Sequence, residues 1–300
     1  MYVVIGATGN TGSVVANRLL ERGKKVRVIA RHADKLQEFA RRGAEAFVAD
    51  ASDQAGLTKA FNSAEAVYAI IPPNATTQDF RAEQRRVSEA IAGALEKTGV
   101  KHVVSLSSVG ADKESGTGPV AGLHEFENRL NRVNGLNVLH LRAAYFMENT
   151  LGQAGAIRAM GKTVGPLRSD LKLPIIAARD IGEVAAQELL SLSFTGKTTR
   201  ELLGERDLSY AEISSIIGSA VDKPDLQYQQ LPKEAMKQVF LQLGMSANIA
   251  DLLLEMSDAL NSGHMRALEP RTAKNTTPTS FETWVKEVFV PAYQAQAQAA

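Results

Sequence analysis

Tyr2-Val3-Val4-Ile5-Gly6-Ala7-Thr8-Gly9-Asn10-Thr11-Gly12 opens the chain, and this stretch decides the fold. Four consecutive apolar residues read as a buried strand, and the three spaced glycines behind it read as a turn that cradles phosphate. Gly6 can adopt turn geometry that a β-carbon would forbid. Gly9 lets backbone approach a pyrophosphate, and Gly12 lets the following helix pack closely on the sheet. A helix expected over Thr11–Glu21 then directs its free N–H groups and the positive end of its dipole at the anion. The spacing G-x-x-G-x-x-G is one residue longer than the G-x-G-x-x-G fingerprint, so its context carries the reading. That context is strand before, helix after, and a second strand at Val26–Ala30 where a βαβ unit should close.

Outward from this turn, strands and helices alternate. Strands are expected at Tyr2–Ile5, Val26–Ala30, Ala46–Ala49, Ala66–Ile71, His102–Ser107 and Asn137–Arg142. Helices are expected at Thr11–Glu21, Ala33–Arg42, Gln54–Phe61, Thr77–Thr98 and Pro119–Val133, with Gly23, Gly43 and Gly99 at left-handed helix ends. Such alternation gives an α/β fold, a Rossmann-type doubly wound parallel sheet whose ligand lies beyond the carboxyl ends of the strands. After Arg142 the pattern loosens. Tyr145–Gly161 reads as one helix, Pro174–Ala177 as a strand, Asp180–Leu192 as a helix and Arg200–Leu203 as a last strand. Ser209-Tyr210-Ala211-Glu212 has capping-box form, as does Thr279-Ser280-Phe281-Glu282, and the repeated Gln-Ala tail from Gln294 is expected to fray. Residues 1–145, rejoined by about 174–203, form the expected dinucleotide-binding unit; residues 146–300 supply a smaller, mainly helical substrate lobe interleaved with it.

Composition removes several classes of function. The 300 residues are 44% hydrophobic and 22% charged with a net charge of +1, so nothing draws the chain to nucleic acid or an anionic membrane. There is no cysteine, hence no disulfide or thiolate chemistry, and no histidine pair has metal-ligand spacing. No apolar run approaches the roughly 20 residues of a membrane-spanning helix. A strand from residue 2 leaves no space for a signal peptide, and a cytoplasmic location is expected. A monomer or homodimer acting on a small apolar molecule fits these limits.

The end of the second strand selects between coenzymes. An NAD-specific site usually has an acidic residue there; this chain has Arg31, with His32 and Lys35 close behind. A guanidinium can grip a 2′-phosphate through charge-assisted bonds of about 1.5–3 kcal/mol, roughly a ten- to hundredfold preference for NADP. The alternative for Arg31 is a solvated charge at a helix start. Asp50, ending the third strand, could accept from the adenine amino group or cap the next helix.

Gly6-Ala7-Thr8-Gly9-Asn10-Thr11-Gly12, Arg31, Ser107-Ser108-Val109-Gly110, Leu141-Arg142-Ala143-Ala144-Tyr145-Phe146-Met147-Glu148-Asn149 and Asp180-Ile181-Gly182-Glu183-Val184-Ala185-Ala186 together resemble the NmrA-like branch of the atypical short-chain dehydrogenase/reductases. The resemblance implies an NADP-binding domain with a small C-terminal lobe, in a family of quinone, azo-dye and triphenylmethane reductases and of redox sensors that do not turn over. It puts Thr8, Asn10 and Thr11 on the pyrophosphate and Arg31 on the adenosine phosphate. Ile71, Pro72 and Pro73 would lie along the nicotinamide side, and Ala143, Ala144, Tyr145 and Phe146 would line the nicotinamide and substrate pocket. Ala143 stands where the family commonly has proline.

Catalysis is the larger departure. Typical members of the superfamily use Tyr-x-x-x-Lys, in which lysine lowers the tyrosine pKa. None of the six tyrosines here has lysine four residues on; Tyr145 is followed by Asn149. Hydride transfer to a quinone-like acceptor can proceed without that dyad, since the product anion is stabilised and the protein contributes alignment and dry walls. His124 is then the candidate proton donor, against a surface position on its helix. Ser107 and Ser108 are candidate contacts to a substrate oxygen, against a polar turn that satisfies its own backbone. The aromatic and methionine side chains of the second lobe favour an apolar, flat substrate, and no basic cluster for a second phosphate is evident. Two functions follow: an NADPH-dependent reductase of a conjugated apolar acceptor, or an NADP(H)-binding sensor without turnover. Epimerisation through transient oxidation would need a strong acid–base pair that the sequence does not display.

Overall fold

The computed structural model describes residues 1–298. Its first half alternates as β1 (Tyr2–Ile5), α1 (Asn10–Glu21), β2 (Val26–Ala30), α2 (Gln37–Arg41), β3 (Glu45–Val48), α3 (Gln54–Phe61), β4 (Ala66–Ala69), α4 (Phe80–Thr98), β5 (His102–Ser108), α5 (Ala121–Asn131) and β6 (Asn137–Ala143). Then come β7 (Tyr145–Phe146), α6 (Gln153–Met160), β8 (Thr163–Gly165), β9 (Leu173–Ile176), α7 (Ala178–Ser191), β10 (Lys197–Leu202) and β11 (Asp207–Leu208). The chain continues through α8 (Tyr210–Ala220), β12 (Tyr228–Gln230), α9 (Lys233–Gln242), α10 (Ala247–Ser262), α11 (Phe281–Trp284) and α12 (Val290–Gln298). No helix among the described residues is long and apolar enough to cross a membrane.

Seven strands form one parallel sheet in the order β10-β6-β5-β4-β1-β2-β3. The alternation of strand side chains feeds two cores. Tyr2 and Val4 pack with Val15, Leu19, Ile181 and Leu189 of α1 and α7, and Val3 and Ile5 pack with Leu57, Phe61, Ile91 and Phe126 on the other face. Each large apolar side chain so enclosed contributes about 1.5–3 kcal/mol. Because β1 lies between β2 and β4, the chain direction switches there, and a crevice opens above the ends of β1 and β4.

The second half departs from expectation in two places. Residues 145–161 are not one helix: Tyr145 and Phe146 are extended and pair with Ile175 and Ile176 of β9, and a 3-10 turn (Met147–Gly152) precedes α6. A strand partner overrides the local helical preference. The last helical region is capped by Ser280, which accepts from Thr283 N at 3.2 Å. Thr279 is occupied elsewhere, donating from its N and Oγ1 to Asp180 at 3.0 and 2.6 Å. The helix passes through a π-turn at Val285–Phe289 into α12, so residues 294–298, expected to fray, are helical; residues 299–300 lie outside the described residues. The Ser209–Glu212 capping box forms as expected.

Glu148 fixes the lobe to the sheet. Its carboxylate accepts from Ala178 N at the start of α7 at 3.1 Å and from Trp284 Nε1 at 3.0 Å. Burial pushes this carboxyl up, against the pull of those bonds.

Candidate active site

At the floor of the crevice, β1 runs into Gly6, whose φ of 68° is a left-handed conformation suited to glycine. Gly9 N donates to Gly6 O at 2.9 Å and closes the turn, and Ser13 N donates to Gly9 O at 3.0 Å as the first helical bond of α1. The N–H groups of Asn10, Thr11 and Gly12 therefore point past the helix end, where they can meet an anion. Gly12 is seated so tightly that a β-carbon there would stand 2.2 Å from Gly6 O. Thr8, Gly9 and Asn10 are exposed along the open side of the cradle. Thr11 is buried, and its Oγ1 accepts from Tyr68 Oη at 2.9 Å.

Beyond the cradle, a hollow of about 120 Å³ is lined by Gly6, Thr8, Arg31, Asp50, Pro72 and Pro73, with Asn74 and Glu83 on its far side. Sequence reasoning named the first six of these. Arg31 is exposed and its guanidinium makes no hydrogen bond or ion pair among the described residues. Asp50 Oδ1 accepts from Ser52 N at 2.8 Å and Ser52 Oγ at 2.7 Å, and these bonds hold its carboxyl below the usual range. The cap of α3 is Asp53, not Asp50. Ile71 lies in the core beside Val67 and Val87 and does not line the hollow.

At the other end of the crevice lies a cavity of about 460 Å³. Ser108, Val109, Ala143, Ala144, Tyr145, Phe146 and Asn149 form its sheet side, while Leu173, Leu203, Met256, Leu260 and Met265 close it from the lobe. Its mouth carries Lys172, Asp207, Arg266, Glu269 and Arg271, so basic side chains do gather here, contrary to the sequence reading. Two of them are internally matched: Lys172 pairs with Glu212 at 3.0 Å, and Arg271 pairs with Asp207 and donates to Leu203 O at 3.0 Å. Glu201, buried at the end of β10, accepts from Leu268 N and Glu269 N at 3.0 and 2.9 Å and so fixes the loop that carries Arg266.

Ser107, an expected contact to a substrate oxygen, and His124, the expected proton donor, stand apart from this cavity. Ser107 is buried and donates to Glu127 Oε1 at 2.5 Å; Arg142 grips the same carboxylate through Nε at 2.9 Å and Nη2 at 2.6 Å. Side chains alternate along β5, so Ser107 faces α5 whereas Ser108 faces the cavity. His124, on α5, lines a separate hollow together with Glu125 and with Arg85 and Glu89 of α4. Its Nδ1 donates to Ala111 O at 2.9 Å and its Nε2 lies 2.8 Å from Asn128 Nδ2, so both ring nitrogens are occupied. His140 is buried between Ser105 Oγ, 2.7 Å from Nδ1, and Asn131 Oδ1, 3.0 Å from Nε2, and burial lowers it to about 4.

Tyr210, legible in the sequence only as part of the Ser209–Glu212 capping box, arrives from α8 and places its hydroxyl 2.9 Å from that of Tyr145. Asn149 was legible only as the residue four positions beyond Tyr145. Among the described residues no group of three or more His, Asp or Glu could hold a metal ion.

An NAD(P)H azoreductase of Xenophilus azovorans is 28% identical over 256 residues, covering 85% of this chain and 86% of that protein. A (4-alkanoyl-5-oxo-2,5-dihydrofuran-3-yl)methyl phosphate reductase of Streptomyces griseus is 25% identical over 289 residues, covering 96% and 97%. Among solved structures, an NADPH-dependent quinone oxidoreductase of Escherichia coli complexed with NADPH shares the fold with a TM-score of 0.81 at 23% identity, covering 96% of this chain and 100% of that one. The triphenylmethane reductase of a Citrobacter species, complexed with NADP(H), does so with a TM-score of 0.78 at 20% identity, covering 97% and 100%. The model of the NmrA-like family matches residues 2–285, and the chain belongs to that family.

Proposed function

We propose that the protein is an NADPH-dependent reductase of a conjugated, quinone-like apolar acceptor. One observation carries this reading: a phosphate cradle with an unpaired guanidinium at one end shares a crevice with a mainly apolar cavity of about 460 Å³ at the other. The Gly6–Gly12 turn and the free N–H groups of α1 would hold the pyrophosphate, and Arg31 the 2′-phosphate. NADPH, when bound, supplies the hydride. Ala143 and Ala144 present small side chains beside the stacking faces of Tyr145 and Phe146, which suits a flat ring system. The lobe's Leu and Met side chains exclude water from the reacting carbon. The names of the relatives support the same class, since one is an NAD(P)H azoreductase and another reduces a phosphorylated butenolide.

The test is oxidation of NADPH, followed by its absorbance, against a panel of quinones, azo dyes and α,β-unsaturated lactones. Turnover with at least one, and much weaker turnover with NADH, is the expected result. Tight NADP(H) binding without turnover across the panel would refute the reductase and leave the sensor.

A further inference from the structure

Reduction of a conjugated acceptor leaves negative charge on its far atom, and that atom needs a proton. This inference rests on the reductase reading above. Ser107 and His124 are committed to Glu127 and to Ala111 and Asn128, outside the cavity. Of the groups lining the cavity, Ser108 Oγ donates to Val109 O at 2.9 Å, and Lys172, Asp207 and Arg271 are paired at the mouth. Glu269 is exposed at the mouth, where the loop is pinned through its backbone. Tyr145 is the one phenol among the described residues that line the cavity.

Its hydroxyl has a neighbour that can donate to a phenolate: Tyr145 Oη lies 2.9 Å from Tyr210 Oη, and Asn149, which also lines the cavity, favours the phenolate as well. Burial leaves the Tyr145 phenol above its ordinary range, with Tyr210 and Asn149 offsetting part of that rise; Tyr210 is held well above the usual phenol range, so it keeps its own proton. We propose that Tyr145 is the catalytic proton donor to the reduced acceptor, with Tyr210 and Asn149 donating to the phenolate it leaves. The hydride goes to one end of the conjugated system and its electron pair moves to the oxygen at the other end. The Tyr145 O–H bond breaks as the new acceptor O–H bond forms. After the product leaves, solvent entering through the mouth returns a proton to Tyr145. The arrangement replaces the lysine of Tyr-x-x-x-Lys with neutral donors, which stabilise the phenolate without a fixed charge in an apolar cavity.

The experiment compares wild type, Tyr145→Phe and Tyr210→Phe on 1,4-naphthoquinones whose substituents vary the basicity of the reduced anion. Tyr145→Phe should lose about 10²-fold in kcat with the most basic anion and progressively less as electron-withdrawing groups make a proton unnecessary. Tyr210→Phe should lose about tenfold with the same trend. A readout without turnover accompanies it: in the cofactor-free protein, the infrared carbonyl stretch of bound 1,4-naphthoquinone should sit lower in wild type than in Tyr145→Phe. An equal loss across the series, no loss, or an unchanged carbonyl stretch overturns the assignment of Tyr145. Absence of wild-type turnover with every quinone overturns the reductase reading itself.

Discussion

Replacing Arg31 with glutamate tests the coenzyme end of the site. Arg31 is exposed just beyond β2, and its guanidinium makes no hydrogen bond or ion pair among the described residues, only a lesser attraction to Asp50, so its removal should change stability by less than about 0.5 kcal/mol. Its contribution should therefore appear in binding. A charge-assisted bond to a 2′-phosphate is worth about 1.5–3 kcal/mol, a ten- to hundredfold change in affinity. Reversing the charge adds about 1 kcal/mol of repulsion at contact in high dielectric, roughly another fivefold. NADPH should bind about fifty- to five-hundredfold more weakly to Arg31→Glu, whereas NADH, which has no such phosphate, should change by less than about threefold. Enhancement of nicotinamide fluorescence measures both constants. Because the contact is exposed, the difference should shrink between about 0.1 and about 1 M salt, as the Debye length falls from roughly 10 to roughly 3 Å. An unchanged NADPH/NADH ratio, or an equal loss for both coenzymes, would refute the role given to Arg31.

Gly12→Ala brings a methyl group to 2.2 Å from Gly6 O, a backbone atom that cannot move without opening the cradle. It should cost about 1–3 kcal/mol in chemical denaturation and weaken NADPH in titration. His140, lowered to about 4 by burial, stays neutral in the native state while the unfolded chain protonates below about 6.5. The unfolded state thus binds more protons between those values, and stability should fall with pH by up to about 3 kcal/mol from pH 6.5 to 4. Denaturant midpoints at pH 7 and 5 should converge in His140→Gln. His124→Ala should keep kcat within about twofold, measured on whichever acceptor wild type reduces, because its ring bonds Ala111 and Asn128 away from the cavity.

The sheet was legible because its signals are local. Val3-Val4-Ile5 ahead of Gly6, and Gly23, Gly43 and Gly99 after their helices, fix elements through nearest neighbours alone, and the helix ends do carry positive φ at these glycines. Arg31, Asp50, Pro72 and Pro73 could be named because a parallel sheet sends every strand end to one edge, where the hollow lies. The cavity could not be read in the same way. Tyr145 and Tyr210 are 65 positions apart, and their contact depends on how β7 pairs with β9 and where α8 follows. The first part of a run that favours helix, residues 145–152, becomes strand and 3-10 turn, because β9 supplies backbone partners to Tyr145 and Phe146 that the local sequence does not reveal. Ser107 was misread for a narrower reason: a shift of one residue along a strand exchanges the cavity face for the α5 face, and sequence does not say which serine faces which.

The misplaced serine also explains how the site is held. Ser107, Glu127 and Arg142 tie the carboxyl ends of β5 and β6 to α5 through a buried carboxylate, and the next residues along those strands, Ser108 and Ala143, are the cavity wall. On the lobe side, Glu201 and Arg271 fix the loop at the mouth. Both walls are therefore braced by buried charges that do not enter the cavity, and the interior is left apolar apart from Tyr145, Asn149 and Ser108. A protein that only sensed its coenzyme would gain nothing from a second chamber braced in this way beyond the end of the cradle. An acceptor that must be stacked, kept dry and given one proton requires such a chamber, and the reductase reading accounts for it where the sensor does not.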